Sequence, residues 1–102
     1  MSIKKQYLKS KDLYKVVWTV EKEKADQAKK INLVGDFNEW NENKAEFTAL
    51  KNGSFKCVVE LPKGRHYQFR YLIDGQVWMN DDEADGFVDN QISDELNSVV
   101  AL

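Results

Sequence analysis

Hydrophobic and polar positions alternate with a period of two along most of the chain. The clearest runs span 14–20, 55–61 and 67–73, where one set of positions is aromatic or aliphatic and the other is mostly polar. Such alternation places one set of side chains on a core and the other toward solvent, as in a half-buried β-strand. The same step continues through 31–37, and the short apolar stretch at 98–102 predicts a closing strand.

Turn-forming residues separate these runs. The turn signals are Asn52-Gly53, Pro62-Lys63-Gly64 and Asp74-Gly75. They predict short strands near 47–50 and 77–79 beside the longer runs. A weaker strand at 4–9 is rich in lysine, the stretch 22–30 is interpreted as a loop, and 80–86 as a solvated acidic loop. Seven or eight short strands, with turns about every 8–12 residues, predict an all-β sandwich with little helix.

The composition excludes several classes of protein. At 102 residues the chain has the size of one domain with a single core, so we expect 1–102 to fold as one unit. One cysteine cannot form an internal disulfide, and no stretch has the apolar run of a signal peptide or a membrane span. The net charge of −2 argues against a nucleic-acid binder. These features favour a cytoplasmic protein, with neither nucleic acid nor a membrane as its partner.

Charge is distributed unevenly along the chain. Residues 1–30 carry nine lysines and four acids, whereas 74–102 carry eight acids and neither Lys nor Arg. Two solvated edges of a sandwich explain this distribution, and a docking patch for a protein partner is the alternative. The sequence leaves both interpretations open.

Residues suited to catalysis or metal binding are few. His66, the only histidine, follows a turn and is expected at the surface, and Cys57 lies on the apolar face of its strand, as an inert thiol does. Zinc usually needs four ligands, mostly Cys and His, and this chain has one of each. In the acidic run 80–86, a calcium loop that started at Asp81 would need its bidentate glutamate at Ile92. We therefore expect no catalytic residue, no metal and no cofactor, and an independent glycoside hydrolase is the least favoured class.

Two tryptophans are not explained by the predicted core. Trp40 follows a strand in a polar loop, and Trp78 follows the turn at Asp74-Gly75. An exposed indole can stack on the apolar C–H face of a glucose ring while polar neighbours bind the hydroxyls. Arg70, on the outward face of a nearby strand, could be such a neighbour. Packing of the two rings as a lid over the end of the sandwich is the alternative.

Three segments resemble a known family. They read INLVGDFNEW at 31–40, LPKGRHYQFRYLIDGQVW at 61–78, and NDDEADGFVDNQISDELNSVVAL at 80–102. Together they are similar to the glycogen-binding module of carbohydrate-binding module family 48, also called the isoamylase N-terminal or early-set domain. This module is found in the β subunits of AMP-activated protein kinase and in branching and debranching enzymes. The resemblance covers about 12–102 and implies an immunoglobulin-like β-sandwich.

The resemblance also implies a carbohydrate site. Its stacking tryptophans match Trp40 and Trp78, its basic residue on the aromatic strand matches Arg70, and the asparagine of its last strand matches Asn97. The family usually has lysine at the position of Arg70, and arginine keeps the charge but not the geometry. The family's apolar and hydroxyl contacts just before the asparagine fall at Ser93 and Glu95 here. The carbohydrate-binding residues expected from the resemblance are Trp40, Arg70, Trp78 and Asn97.

The leading hypothesis is therefore non-catalytic binding of α-1,4-linked glucans, namely glycogen, starch or maltooligosaccharides. The resemblance also implies a protein partner such as a glycogen-metabolising enzyme. The alternative is a protein-interaction or structural early-set module that has lost sugar binding.

Overall fold

The computed structural model describes residues 1–89 and 95–102. This part of the chain holds nine strands, one helical turn and a 3-10 turn at Asp36–Asn38. The helical turn is α1 (Lys22–Ala25), and the strands are β1 (Ser2–Leu8), β2 (Leu13–Val20), β3 (Ile31–Gly35), β4 (Thr48–Ala49), β5 (Phe55–Pro62), β6 (His66–Ile73), β7 (Val77–Met79), β8 (Gly86–Asp89) and β9 (Leu96–Ala101). No helix among these residues is long and apolar enough to cross a membrane.

The strands form two antiparallel sheets. The first sheet has the order β1-β2-β5-β4, and the second has the order β3-β6-β9-β8, with β7 also paired to β6. Several neighbours, such as β2 with β5 and β6 with β9, are distant in sequence, so the chain crosses between the sheets. The predicted all-β, immunoglobulin-like β-sandwich is confirmed. The described residues form nine strands and not the expected seven or eight, because the nine include short strands such as β4 and β7.

The core lies between the sheets and follows the period-two pattern. On β2 the buried side chains are Val16, Trp18 and Val20, and on β6 they include Phe69 and Tyr71. The Trp18 and Phe69 rings pack edge to face with centroids 5.7 Å apart. Edge-to-face pairs of this kind add about 1 kcal/mol beyond the area they bury. The alternation in the sequence therefore identifies both the strands and the side that faces the core.

The interpretation of 22–30 as a loop is wrong at its start. The segment opens with α1, in which the N–H of Ala25 donates to the carbonyl of Glu21 at 2.9 Å. Ala25 is buried against the core, and Asp26 ends the turn with a left-handed φ of 46°. Four residues are too few to show a helical period, so the sequence pattern does not predict this turn. Packing of Ala25 against the core holds the turn on the sandwich.

The interpretation of 80–86 as a solvated acidic loop is also wrong in part. Asp81 is fully buried, and its Oδ2 accepts a hydrogen bond from the Tyr71 hydroxyl at 2.5 Å. Its N–H donates to Ser98 Oγ at 3.0 Å. Burial raises the pKa of Tyr71, and the neighbouring Asp81 charge raises it further. Beyond this loop lies the unpredicted β8, an edge strand whose Phe87 and Val88 are both exposed, which leaves no alternation to detect.

Candidate functional site

The candidate site lies on the second sheet, on the side that faces away from the core. We call this side the outer face. On β6 the core side takes Tyr67, Phe69 and Tyr71, so the alternate positions point outward. The register aligns Val34 with Arg70, Trp78 with Leu72, and Val99 with Gln68. Among the residues that the structure describes, the outer face therefore includes Asn32, Val34, Gln68, Arg70, Leu72, Trp78, Asn97 and Val99.

Trp78 lies in the short strand β7, as the strand predicted near 77–79 requires. The turn before it has left-handed φ angles at Asp74 (51°) and Gly75 (69°). The Asp74 carboxylate fixes this turn, because its Oδ1 accepts the backbone N–H groups of Lys29 and Lys30 at 2.8 and 2.9 Å. Pairing of β7 with β6 then sets Trp78 beside Leu72. The Trp78 residue keeps 37% of its surface exposed.

Arg70 packs against Trp78. Its guanidinium carbon lies 5.3 Å from the centre of the indole, within cation–π distance. Its Nη2 donates to Glu95 Oε2 at 2.6 Å, so the side chain forms an ion pair as well. Only 11% of the Arg70 side chain is exposed, whereas 59% of the Glu95 side chain is. The two contacts together hold the guanidinium over the Trp78 ring.

Asn97 lies on β9 and is largely buried, with 7% of its surface exposed. Its Nδ2 donates to Gln68 Oε1 at 3.0 Å across the two neighbouring strands. Gln68 therefore connects the asparagine to β6, two residues before Arg70. The amide pair gives the outer face neutral hydrogen-bonding groups beside the charged ones.

Trp40 is half-buried at the end of β3 and is held by Asp36. One carboxylate oxygen of Asp36 accepts the Trp40 indole N–H at 2.9 Å, and the other accepts the backbone N–H of Gln68 at 2.8 Å. The backbone N–H of Trp40 donates to the carbonyl of Gly35 at 2.9 Å. This compact loop needs left-handed φ angles at Glu39 (59°) and Trp40 (57°).

Gly35 allows this loop to lie against β6. A Cβ atom added to Gly35 would stand 2.5 Å from the carbonyl oxygen of Gln68 and 2.9 Å from Cβ of Phe69. The backbones of β3 and β6 therefore approach too closely for any other residue here. The loop explains two residues of the G-x-F-N-x-W element. Gly35 allows the close approach of the strands. Asn38 closes the turn, because its side chain accepts the N–H of Gly35 at 3.1 Å and donates to the Leu33 carbonyl at 2.9 Å.

The four residues expected from the sequence differ in how they are connected. Arg70 and Trp78 are in direct contact, whereas Asn97 and Trp40 are each joined to Gln68, the latter through Asp36. The expectation for Ser93 concerns a residue outside the part of the chain that the structure describes. Sequence reasoning missed two residues, Asp36 and Gln68, and the pairing of Arg70 with Glu95. The one local signal is the four-residue spacing of Asp36 and Trp40, which could have indicated their contact.

The residues considered for chemistry lie in unsuitable surroundings. Burial raises the pKa of the Cys57 thiol to about 11, which leaves it protonated and unreactive at neutral pH. His66 is exposed at the start of β6. Among the described residues, Asp81, Asp82 and Glu83 bring ligand oxygens within 4.8 Å of one another. Both oxygens of Asp81 already accept hydrogen bonds, from the Tyr71 hydroxyl and from the Glu83 N–H.

The fold and this face define a class of protein: a small immunoglobulin-like β-sandwich of the binding-module type. The model of the family described as the glycogen recognition site of AMP-activated protein kinase matches residues 17–101. The chain belongs to this family, and its module is similar to carbohydrate-binding module family 48 and to the β subunit of that kinase. Carbohydrate-binding module families are non-catalytic. No curated protein compared with the sequence matches it.

Proposed function

We propose that the protein binds α-1,4-linked glucans without reacting with them, and that the outer face is the binding surface. The ligands are glycogen, starch and maltooligosaccharides. Membership of a glycogen-recognition family supports carbohydrate binding in general. The observation that carries the finer proposal is the partly exposed Trp78 ring, held in one orientation by the guanidinium of Arg70.

Stacking on Trp78 is the proposed main contribution to affinity. A glucose ring presents an apolar C–H face, and an indole is the largest flat apolar surface that a side chain offers. A ring that is already fixed loses little conformational freedom when the sugar binds. Arg70 supplies this fixation, because it holds one side of the indole by a cation–π contact while its own position is set by Glu95. A stack of this kind contributes on the order of 1 kcal/mol beyond area burial.

Trp40 is proposed as the second stacking ring, for another glucose unit of the same chain. Its indole N–H is already accepted by Asp36. The ring therefore offers its apolar surface to the ligand and not a hydrogen-bond donor.

Hydrogen bonds to hydroxyls are proposed for Arg70 and Asn97. The guanidinium carries five N–H donors, of which the contact to Glu95 occupies one. The side-chain amide of Asn97 donates one N–H to Gln68, and its carbonyl oxygen is an acceptor for a hydroxyl. Each group serves as a donor or acceptor at a fixed place on the face that carries the Trp78 ring. With few such contacts, we expect dissociation constants between about 1 μM and 1 mM.

The test is a calorimetric titration with maltoheptaose, joined to native-gel retardation on glycogen. We expect Trp78→Ala to raise Kd at least tenfold, because it removes both the stacked area and the contact that orders Arg70. Trp40→Ala should weaken binding as well. Tyr7→Ala is the matched control, since Tyr7 is an exposed aromatic on the first sheet, and it should change Kd less than twofold.

Two results would contradict the proposal. One is a wild-type protein that neither binds maltoheptaose nor is retarded by glycogen. The other is a Trp78→Ala variant that binds as tightly as the wild type while keeping its thermal midpoint.

The alternative candidate is a protein-interaction or structural early-set module without sugar binding. The ion pair of Arg70 with Glu95 favours this alternative, because it engages one of the groups proposed to bind hydroxyls. Intrinsic fluorescence distinguishes the two, since Trp18 is buried while Trp78 is partly exposed. A glucan-binding protein should show a shift in emission when maltoheptaose is added, and this shift should be absent in Trp78→Ala. A module without sugar binding should show no shift.

Two further statements belong to the same proposal. A cytoplasmic location is proposed, and the single cysteine, which is buried as a free thiol, supports it. A glycogen-metabolising enzyme is the proposed class of protein partner, and it rests on the family alone.

A further inference from the structure

Two carboxylates lie close to the largely covered arginine of the outer face. Arg70 is the one charged residue among the eight named above for this face, and Glu95 pairs with it at 2.6 Å. Asp36, exposed at the Trp40 end of the same face, adds a second carboxylate. The three groups together carry a formal charge of −1, although the family resemblance implies a basic residue at Arg70.

We propose that Glu95 is a specificity-determining residue, which makes the outer face select uncharged α-glucan and reject glucan that carries phosphate monoesters. This inference rests on the proposed function, because it concerns the ligand of the same surface. Its basis is the geometry of three groups: an aromatic ring, a guanidinium held against it, and a carboxylate that neutralises the guanidinium.

An arginine beside an exposed tryptophan would otherwise favour a phosphorylated sugar. The guanidinium fork matches a phosphate in a bidentate manner, and the indole would hold the sugar ring next to it. Glu95 opposes this in two ways. Its carboxylate occupies Nη2, which removes one arm of the fork, and its negative charge repels any phosphate that approaches the remaining donors.

Coulomb's law gives the approximate size of the repulsion between Glu95 and a phosphate. Glu95 is more than half exposed, so the interaction passes through a largely aqueous medium. One carboxylate about 5 Å from a doubly charged phosphate in such a medium weakens binding by on the order of tenfold, and the attraction of the Arg70 guanidinium for the phosphate offsets part of this. Salt screens this effect, and the Debye length falls to about 3 Å at 1 M.

The same pair does not exclude a neutral glucan. A carboxylate accepts hydrogen bonds from hydroxyls, and a guanidinium donates to their oxygens. Both members of an Arg–Glu pair therefore belong to the groups that bind sugar hydroxyls. The ion pair that excludes phosphate is thus compatible with the sugar.

The experiment compares maltoheptaose with maltoheptaose that carries one phosphate at a glucose O6, both titrated by calorimetry at 50 mM salt. We expect the wild type to bind the neutral sugar more tightly than the phosphorylated one, by up to about tenfold. Glu95→Gln keeps the shape and removes the charge, and it should lower this ratio about tenfold, to one or below. Glu60→Gln is the matched control: it removes an exposed carboxylate paired with Lys11 on the first sheet, and it should keep the wild-type ratio.

A second measurement needs no variant. Raising the salt concentration from 50 mM to 1 M should bring the wild-type ratio close to that of Glu95→Gln, because the repulsion is electrostatic. Equal wild-type affinities for the two sugars, or a ratio that Glu95→Gln leaves unchanged, would overturn the inference while the proposed function stands. Failure of the wild type to bind neutral maltoheptaose would overturn the proposed function, and the inference with it.

Discussion

Asp36 connects the two ends of the candidate site with a single side chain. Its two oxygens accept the indole N–H of Trp40 and the backbone N–H of Gln68. The carboxylate thereby attaches the Trp40 loop to the strand that carries Arg70. Charged acceptors of this kind are stronger than neutral ones, so Asp36 is a positioning residue for Trp40.

We predict that Asp36→Asn costs about 1–2 kcal/mol in the free energy of unfolding, because one of the two N–H donors loses its acceptor. The indole N–H resonance of Trp40 in a 15N-correlated NMR spectrum should shift, while that of Trp18 stays in place. Glu42→Gln, an exposed acid in the same loop, is the control and should leave both resonances unchanged. An unmoved Trp40 resonance in Asp36→Asn would contradict the assigned role.

The hydroxyl of Tyr71 is the second residue-scale test. It donates to the buried carboxylate of Asp81 at 2.5 Å. We predict that Tyr71→Phe lowers the free energy of unfolding by about 1.5–3 kcal/mol, because a buried charged acceptor loses a donor. Tyr67→Phe is the matched control: its hydroxyl donates to the neutral carbonyl of Pro62 at 2.9 Å, so a loss of about 1 kcal/mol is expected. Urea unfolding measures both, and equal losses would contradict this account.

At the scale of elements, Asp85, which directly precedes the edge strand β8, connects the two sheets. Asp85 Oδ2 accepts the N–H of Ala101 at 2.7 Å and the ammonium of Lys5 at 2.6 Å. One carboxylate thus joins β9 of the second sheet to β1 of the first. Partial burial raises the pKa of Asp85, but the Ala101 N–H and Lys5 outweigh it, so the net pKa lies below the usual value.

This lowered pKa predicts the direction of a pH effect. A carboxyl whose pKa falls on folding stabilises the protein above its unfolded pKa, about 3.9, and the stabilisation is lost as pH falls through the folded pKa. We predict that Asp85→Asn is less stable than the wild type by about 1 kcal/mol from pH 5 to 7, a value discounted for partial exposure. The difference should vanish toward pH 2. Urea midpoints across this range measure it, and a difference that persists at pH 2 would contradict the prediction.

For the whole molecule, the uneven charge of the chain is partly paired in three dimensions. Lys5 and Lys24 come from the basic N-terminal segment, and they pair with Asp85 and Asp82 of the acidic segment at 2.6 and 3.5 Å. Exposed pairs such as that of Lys24 contribute between about 0 and 1 kcal/mol. These contacts agree with two solvated edges that meet across the sandwich.

Glucan binding should stabilise the entire fold. A ligand that binds only the folded state at ten times its Kd adds about 1.4 kcal/mol to the free energy of unfolding. For a domain of this size that corresponds to a rise in Tm of about 5 °C or more. We predict this rise with maltoheptaose in differential scanning fluorimetry, and its absence in Trp78→Ala. An equal rise with cellohexaose, a β-1,4-glucan, would contradict selectivity for α-1,4 linkages.

The sequence by itself determined the fold class and the side of each long strand that faces the core. Runs such as 14–20 and 67–73 alternate strictly enough to show strand and orientation together, because alternation is a local property of a pleated chain. The outward position of Arg70 and the turn before Trp78 follow from the same local pattern. The family was also visible in short segments read in order.

Only the tertiary structure decided how these residues meet. The pairing of Arg70 with Glu95 spans 25 positions, and that of Gln68 with Asp36 spans 32. Such contacts arise from which strands become neighbours, and no local period encodes that choice. The same reason explains the buried Asp81 in a stretch that looks solvated: its partners, Tyr71 and Ser98, lie on strands that the sandwich brings to it.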